Sequence, residues 1–413
     1  MMSLHPKLLH LGSISKAITW ARSCTLIVFI LTKTSSFVMA FATSWHVMMS
    51  PREHELNSHS PYIDMPMRPP CPTSGAFPLF SLVSEHRSKQ LTQTTKSAIP
   101  IAGVHDALSA KIFAQHKAPV LFLSGFGVSA ALLGIPDAGM TNLVEMEMVA
   151  RRVCSTLREG DLPEYEPPPL IVDGDTGYGG SANMLRTISA LTNAGAAAIT
   201  IEDQVFPKKC TIAAGDKIRI IDREAATQRV NAAIGARNLY DAKWSRSKSE
   251  SLTNGPGVWI VARTDCRLAF GFQETIERCL RFENMGADVV YAENLQSFDE
   301  YQKLRSKLDP KTITMVAQVQ EGKDSVKKID GENGKPLLTI QEIGDMGFDL
   351  ALFGVTPLQC VVGSLQKAAG SFLDTGIVGQ TTNDRDITLA DFESLKKVVG
   401  FENLETFENE FPC

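Results

Sequence analysis

Histidine is missing from most of this chain: all eight lie at or before His116. Any acid, base or metal ligand further along must be a carboxylate, Cys, Lys, Tyr or Arg, which argues against a histidine-based hydrolase triad and a histidine-rich zinc site. The eight cysteines, at 24, 71, 154, 210, 266, 279, 360 and 413, form no CxxC pair. Neither a zinc ribbon nor a disulfide framework is indicated. Charge excess is also lacking. Net charge is -5 and pI about 6.0, so there is no nucleic-acid footprint. No acidic residue precedes Glu53, whereas Lys7, Lys16, Arg22, Lys33 and Arg52 are basic. The apolar run Cys24–Leu31 is too short for a comfortable membrane span, and Lys33 interrupts its extension. No stable span is expected in the mature protein.

That acid-poor start, followed by the small-residue pattern Ala40-Phe41-Ala42, reads as a targeting segment. It resembles the two-part presequences of plastid proteins in algae with complex plastids. A mitochondrial presequence, a secretory signal or an overlong gene model also accommodates these residues. An organellar location, plastid or mitochondrion, is the expectation. Residues 50–95 hold many Pro, Ser and Thr and few periodic apolar residues, so a disordered linker is expected there. The division is then 1–95 leader and linker, 96–375 catalytic domain, and 376–413 helical tail.

From Ile99 onward, eight short apolar runs alternate with helix-like segments. The runs are Ile99–Ala102, Val120–Leu123, Leu170–Val172, Ala198–Ile201, Val258–Val261, Val289–Tyr291, Ile313–Val316 and Leu350–Phe353. Gly195, Gly286 and Gly347 punctuate helix ends. Eight strand–helix units in about 275 residues predict an α/β fold, a (β/α)8 TIM barrel with a C-terminal helical extension. A doubly wound open sheet is the alternative.

In a barrel the chemistry lies where strands end. The residues found there are His105-Asp106, Ser124–Gly127, Asp173 and Asp175, Glu202–Gln204, Arg263–Asp265, Glu293-Asn294, Gln318 and Gly354. Asp173 and Asp175 are two apart, so a strand projects them to one side. Next to a glycine-rich turn they suit a hard cation such as Mg2+. The plain alternative is a solvated acidic turn. Repelling carboxylates on one rim need a cation or basic partners. Arg263, Lys208 and Lys209 supply the latter.

With these motifs placed, Ile99–Phe411 resembles the isocitrate lyase and phosphoenolpyruvate mutase superfamily. The most specific pieces are Ser124–Gly127, Leu133–Asp137, Val172–Gly179, Ile201–Cys210 and Ala262–Asp265, in that order and spacing. The resemblance implies Mg2+, with Mn2+ as a substitute, near Asp173, Asp175 and Glu202, and Asp175 as the direct ligand. It implies that Ser124, Gly125 and Phe126 hold the 2-oxo carboxylate of a small substrate. Arg263 would bind carboxylate or stabilise an oxyanion, Glu293 and Gln318 would contact substrate, and Asp137 would sit in the metal shell or a gate. Homotetramers with an exchanged C-terminal helix are implied as well.

The loop after the fourth strand bears on the reaction. Lyases of this superfamily carry Lys-Lys/Arg-Cys-Gly-His; this chain has Lys208-Lys209-Cys210-Thr211-Ile212. The Cys is kept and the Gly-His is lost. Cys210, Arg263 and Lys208 are therefore the candidate catalytic residues, with Cys210 as proton donor and Lys208 and Lys209 expected to lower its pKa. The plain alternative is a structural Cys on a mobile loop. Tyr178 and a metal-held hydroxide are the candidate bases. Gln318 stands where the lyases usually have Asn, the loop 322–336 is longer than theirs, and 243–257 is a further insertion. The expected activity is Mg2+-dependent carbon–carbon cleavage of a 2-hydroxy di- or tricarboxylate of the methylisocitrate, isocitrate or dimethylmalate type. The alternatives are a phosphoenolpyruvate/phosphonopyruvate mutase, a hydrolase of phosphonopyruvate or oxaloacetate, and a non-catalytic member.

Overall fold

The computed structural model describes residues 77–93, 95–159, 166–214, 217–247, 257–320, 337–378 and 389–411. The proposed leader before residue 77, most of the insertion before the fifth strand and the loop 321–336 lie outside the described residues.

Eight parallel strands close into a barrel in sequence order: β1 (Ile99–Val104), β2 (Val120–Leu123), β3 (Leu170–Asp173), β4 (Ala198–Ile201), β5 (Trp259–Thr264), β6 (Val289–Ala292), β7 (Ile313–Ala317) and β8 (Leu350–Phe353). β1 pairs with both β2 and β8, with Ile101 opposite Val120 and Leu352. Helices follow the strands as the sequence pattern predicts, for example Ser181–Ala194 after β3 and Phe272–Asn284 after β5.

Side chains on each strand alternate between two cores. In β5, Trp259 and Val261 fill the barrel interior, while Ile260 and Ala262 join the core under the outer helices. Burial on both faces is why these strands read as continuous apolar runs. At the upper rim β1 and β8 approach so closely that a Cβ on Gly103 would lie 2.0 Å from the Gly354 carbonyl oxygen. Only glycine permits that approach.

The linker expectation fails for its last part. Residues Phe77–Gln90 form a helix that closes the floor of the barrel. Leu79 and Val83 are fully buried in the interior core, and Phe80 meets Trp259 edge-on at 6.2 Å. Arg87 Nε donates to Asp349 Oδ1 at 2.6 Å, and its other nitrogens donate to the carbonyls of Lys311 and Thr312. The apolar residues Phe77, Leu79, Phe80, Leu82 and Val83 all fall in the first seven positions, so no apolar stripe runs the length of the helix; the barrel floor selects it. The catalytic unit thus includes residues before 96.

At the other end lie a helix Thr356–Thr375 and two short helices, Phe392–Val399 and Phe401–Glu410. They leave Leu365, Phe372, Leu373, Phe392 and Phe407 exposed. None of the helices among the described residues is long and apolar enough to cross a membrane.

Candidate active site

The parity that fills the barrel interior also builds its mouth. Phe122, Ile171, Val261 and Tyr291 point inward. Continuing the alternation two residues along each strand gives Ser124, Asp173, Arg263 and Glu293. All four line a cleft with Glu202, Lys208, Cys210, Phe126 and Gln318, together with Asp137, Gln204 and Thr211. The empty space among these residues and at the mouth is about 550 Å3. Of the catalytic, substrate and metal residues named from sequence, Asp175, Gly125 and the candidate base Tyr178 do not line the cleft. Asp175 and Gly125 lie against its wall, where a Cβ on Gly125 would meet Asp173 Oδ2 at 3.0 Å and Asp175 Oδ1 at 3.2 Å.

Ser124 caps the short helix Gly125–Val128, its Oγ accepting from Gly127 N at 3.2 Å. Gly125 N donates to Asp173 Oδ2 at 3.3 Å, and Asp175 N to Asp173 Oδ1 at 3.2 Å. Asp175 has φ +48 and Tyr178 φ +56, a left-handed backbone that costs energy and recurs at functional sites. Lys208 answers the negative charge. Its Nζ stands 2.7 Å from Asp175 Oδ1 and 2.8 Å from Asp137 Oδ1. Burial alone would lower the Lys208 pKa, but Asp175, Glu202, Asp173 and Asp137 outweigh it and hold the ammonium charged. Asp137 also fixes the loop backbone, its carbonyl accepting from Cys210 N at 3.1 Å.

Arg263 is held flat by Asp265, Nε to Oδ1 at 2.6 Å and Nη2 to Oδ2 at 3.1 Å. Its guanidinium lies 5.3 Å over the Tyr291 ring, with Glu202 at 3.7 Å. The Glu202 carboxyl is pushed well above the usual range, first by burial and then by Asp265. Its Oε1 is buried and has no hydrogen-bond partner among the described residues. Glu293 accepts from Tyr291 Oη and, at 3.3 Å, from Thr211 Oγ1.

Three expectations change. Cys210 is not activated by its lysine neighbours: burial pushes the thiol up and outweighs the lowering by Lys208, whose Nζ is paired with Asp137 and Asp175. A raised pKa keeps Cys210 protonated, the state a proton donor requires. Tyr178 is a poor base, since burial and then Asp175 and Asp173 raise its phenol well above the ordinary value. Gln318, one residue out of parity with the inward-facing Ala317, has both ends of its amide bound to the scaffold. The nitrogen donates to Tyr301 Oη at 3.0 Å, and the oxygen accepts from Leu338 N at 2.7 Å.

The donor set suits a hard cation. It consists of oxygen atoms alone, with an orphaned carboxylate oxygen on Glu202. No three His, Cys, Asp or Glu side chains among the described residues form a ready cage. Mg2+ needs none, because it keeps several waters and binds through one or two carboxylates. Thr211 and Tyr291 were not singled out from sequence as site residues, and Gln204 was placed on the rim without a role. The signal for Tyr291 was available in its spacing of two from Glu293.

A family model described as "Phosphoenolpyruvate phosphomutase" matches residues 89–373. The chain belongs to this family. Among family relatives, 2,3-dimethylmalate lyase of Eubacterium barkeri is 26% identical over 321 residues, covering 77% of this chain and 95% of the relative. The chloroplastic carboxyvinyl-carboxyphosphonate phosphorylmutase of Arabidopsis thaliana is 30% identical over 305 residues, covering 73% and 77%. The solved structure of oxaloacetate acetylhydrolase with the inhibitor 3,3-difluorooxalacetate matches at 26% identity and a TM-score of 0.65, covering 82% of this chain and 98% of that one. The protein is therefore an enzyme of the phosphoenolpyruvate mutase/isocitrate lyase superfamily, whose members include lyases, mutases and hydrolases.

Proposed function

We propose that the protein is a Mg2+-dependent lyase that cleaves a carbon–carbon bond in a substituted 2-hydroxy dicarboxylate of the malate type and releases a 2-oxo acid. The observation that carries this reading is Cys210, a protonated thiol lining the same cleft as Asp173, Glu202 and Arg263. In such a cleavage the hydroxyl proton passes to solvent, the carbon–carbon bond breaks, and the departing fragment takes the electron pair at carbon. That carbon then needs a proton, and Cys210 Sγ is the donor. Arg263, aimed by Asp265, stabilises the oxygen charge through its fork of donors. Ser124 and Phe126 border the 2-oxo acid end. When bound near Asp173, Asp175 and Glu202, Mg2+ supplies charge stabilisation at the substrate oxygens, worth several kcal/mol.

A dicarboxylate is favoured over a tricarboxylate by the rest of the lining. Phe122, Phe126, Ala317, Val319, Leu352 and Val355 are apolar. The Gln318 amide is already occupied, so beyond Lys209 at the mouth the described wall offers little to a third carboxylate. The second reading, hydrolysis of oxaloacetate, draws on the loss of Gly-His from the loop and on the likeness to oxaloacetate acetylhydrolase. Purified protein with Mg2+ should be assayed against 2,3-dimethylmalate, 2-methylisocitrate, isocitrate, oxaloacetate and phosphonopyruvate, reading pyruvate, glyoxylate, oxalate and phosphate. Pyruvate from 2,3-dimethylmalate supports the lyase. Oxalate from oxaloacetate as the main product replaces it with the hydrolase, and phosphate or a rearranged phosphonate with the alternative chemistries.

The exposed apolar residues of the C-terminal helices support assembly into a homotetramer through that end of the chain. An organellar address rests on the basic, acid-poor leader; a fluorescent fusion of residues 1–95 that stays in the cytosol would refute it.

A further inference from the structure

Gln204 stands between two parts of the site that the reaction needs together. Its side chain is 1% exposed and lines the cleft. The amide nitrogen donates to Asp265 Oδ2 at 2.6 Å, and the amide oxygen accepts from Lys209 N at 2.9 Å. Chemistry fixes this orientation, because a flipped amide would set its oxygen against a carboxylate and its NH2 against an N–H. Asp265 is the residue that grips Arg263 with both oxygens. Lys209 lies between Lys208 and Cys210 on the loop. One amide thus touches the carboxylate that aims the guanidinium and the backbone that carries the thiol.

The base of this bridge is rigid. Arg229 Nη1 donates to the carbonyls of Glu202 at 2.8 Å and Gln204 at 2.7 Å. Val205 N donates to Arg219 O, and Ile221 N to Asp203 O. Asp203 in turn accepts from Asp265 N at 2.8 Å, Thr264 Oγ1 at 2.6 Å and the buried Arg278 at 2.9 Å. The backbone at Gln204 is held from behind, so its side chain can fix the loop in front against a stationary reference.

We propose that Gln204 is a positioning residue that sets the Cys210 loop in register with Arg263, so that the proton donor and the charge-stabilising group are aligned as one unit. This rests on the reading of Cys210 as proton donor for its catalytic consequence, but not for its structural one. A merely structural Gln204 would affect stability alone.

Two variants separate these roles. Gln204→Met removes both hydrogen bonds at similar volume; Gln204→Glu keeps an acceptor for Lys209 N and sets a carboxylate against Asp265. Lys209 is exposed, so trypsin cleavage after it reports on the loop without any substrate. Gln204→Met should be cut there about tenfold faster than the wild type, the effect of losing one hydrogen bond, at a rate of global unfolding that is unchanged. Gln204→Glu should resist cleavage like the wild type yet lose turnover, with kcat falling more than KM rises. On the Cys210→Ser background, Gln204→Met should cost far less turnover than in the wild type, since coupled residues are not additive. Equal trypsin rates in all three proteins would overturn the proposal whatever the reaction proves to be. Altered loop cleavage with fully additive kinetics would retain the loop contact and overturn the link to Cys210. If Gln204→Met does not fold, the Gln204→Glu pattern of intact loop and lowered kcat decides alone.

Discussion

Lys208 Nζ lies 2.7 Å from Asp175 Oδ1, with both side chains almost wholly buried. Removing one partner of such a pair leaves an uncompensated charge in the interior. Lys208→Met should therefore destabilise the protein by about 3–5 kcal/mol, read from urea unfolding in EDTA. The same variant should gain more stability from added Mg2+ than the wild type does, because the carboxylates then lack their resident cation. An unchanged unfolding midpoint would contradict this role of the pair.

Turnover should vanish in excess EDTA and return with Mg2+ or Mn2+ but not Zn2+, since the donor set is all oxygen. Asp175→Ala should abolish turnover while circular dichroism stays native. Full activity in EDTA is the outcome that sinks the metal assignment.

Cys210→Ser should lower turnover by about 10²–10⁴-fold, the range for a lost general acid. Burial raises the thiol pKa. The thiolate fraction at pH 7 is therefore smaller than for a free cysteine, and alkylation of the free enzyme by iodoacetamide should be slow. The rate should climb with pH through an apparent pKa above that of a free thiol. Rapid, pH-independent labelling of Cys210 near neutrality would refute this environment.

Leu79 is fully buried at the barrel floor. Leu79→Ala should cost about 2–5 kcal/mol by chemical denaturation, and truncation to residue 96 should lower Tm relative to truncation to residue 77. Equal Tm values would mean that the helix adds nothing.

Phe372 and Leu373 are 57% and 82% exposed. If the C-terminal helices pair between copies, Phe372→Glu should shift the molar mass in light scattering toward the monomer. A tetramer that persists unchanged would move the interface elsewhere.

The barrel was legible because strands buried on both faces leave apolar runs, and Leu170–Val172 or Val289–Tyr291 can hardly be anything else. The rim was legible because parity extends each run to a polar residue. Arg263 two beyond Val261, and Glu293 two beyond Tyr291, follow from spacing alone. What lay hidden depends on contacts distant in sequence. Lys208 beside Cys210 suggested an activated thiol, but the ammonium turns to Asp137, 71 residues away. Gln318 looked like a substrate ligand, and only Tyr301 and Leu338 reveal how its amide is bound. The helix Phe77–Gln90 confines its apolar residues to its first seven positions and is specified by the floor it covers.

That floor has a bearing on the order in which the molecule is completed. Arg87 and Asp349 are 262 residues apart. Asp349 also accepts from Thr314 N at 2.8 Å and donates its own N–H to Thr314 O, which ties the last strand to the seventh. During synthesis the helix Phe77–Gln90 therefore lacks its Asp349 partner until the start of β8 has emerged. At about 5–20 residues per second, that interval is roughly 10–50 s, through which Leu79 and Val83 stay open to water and to chaperones. Among the described elements, the first one made waits for the eighth strand.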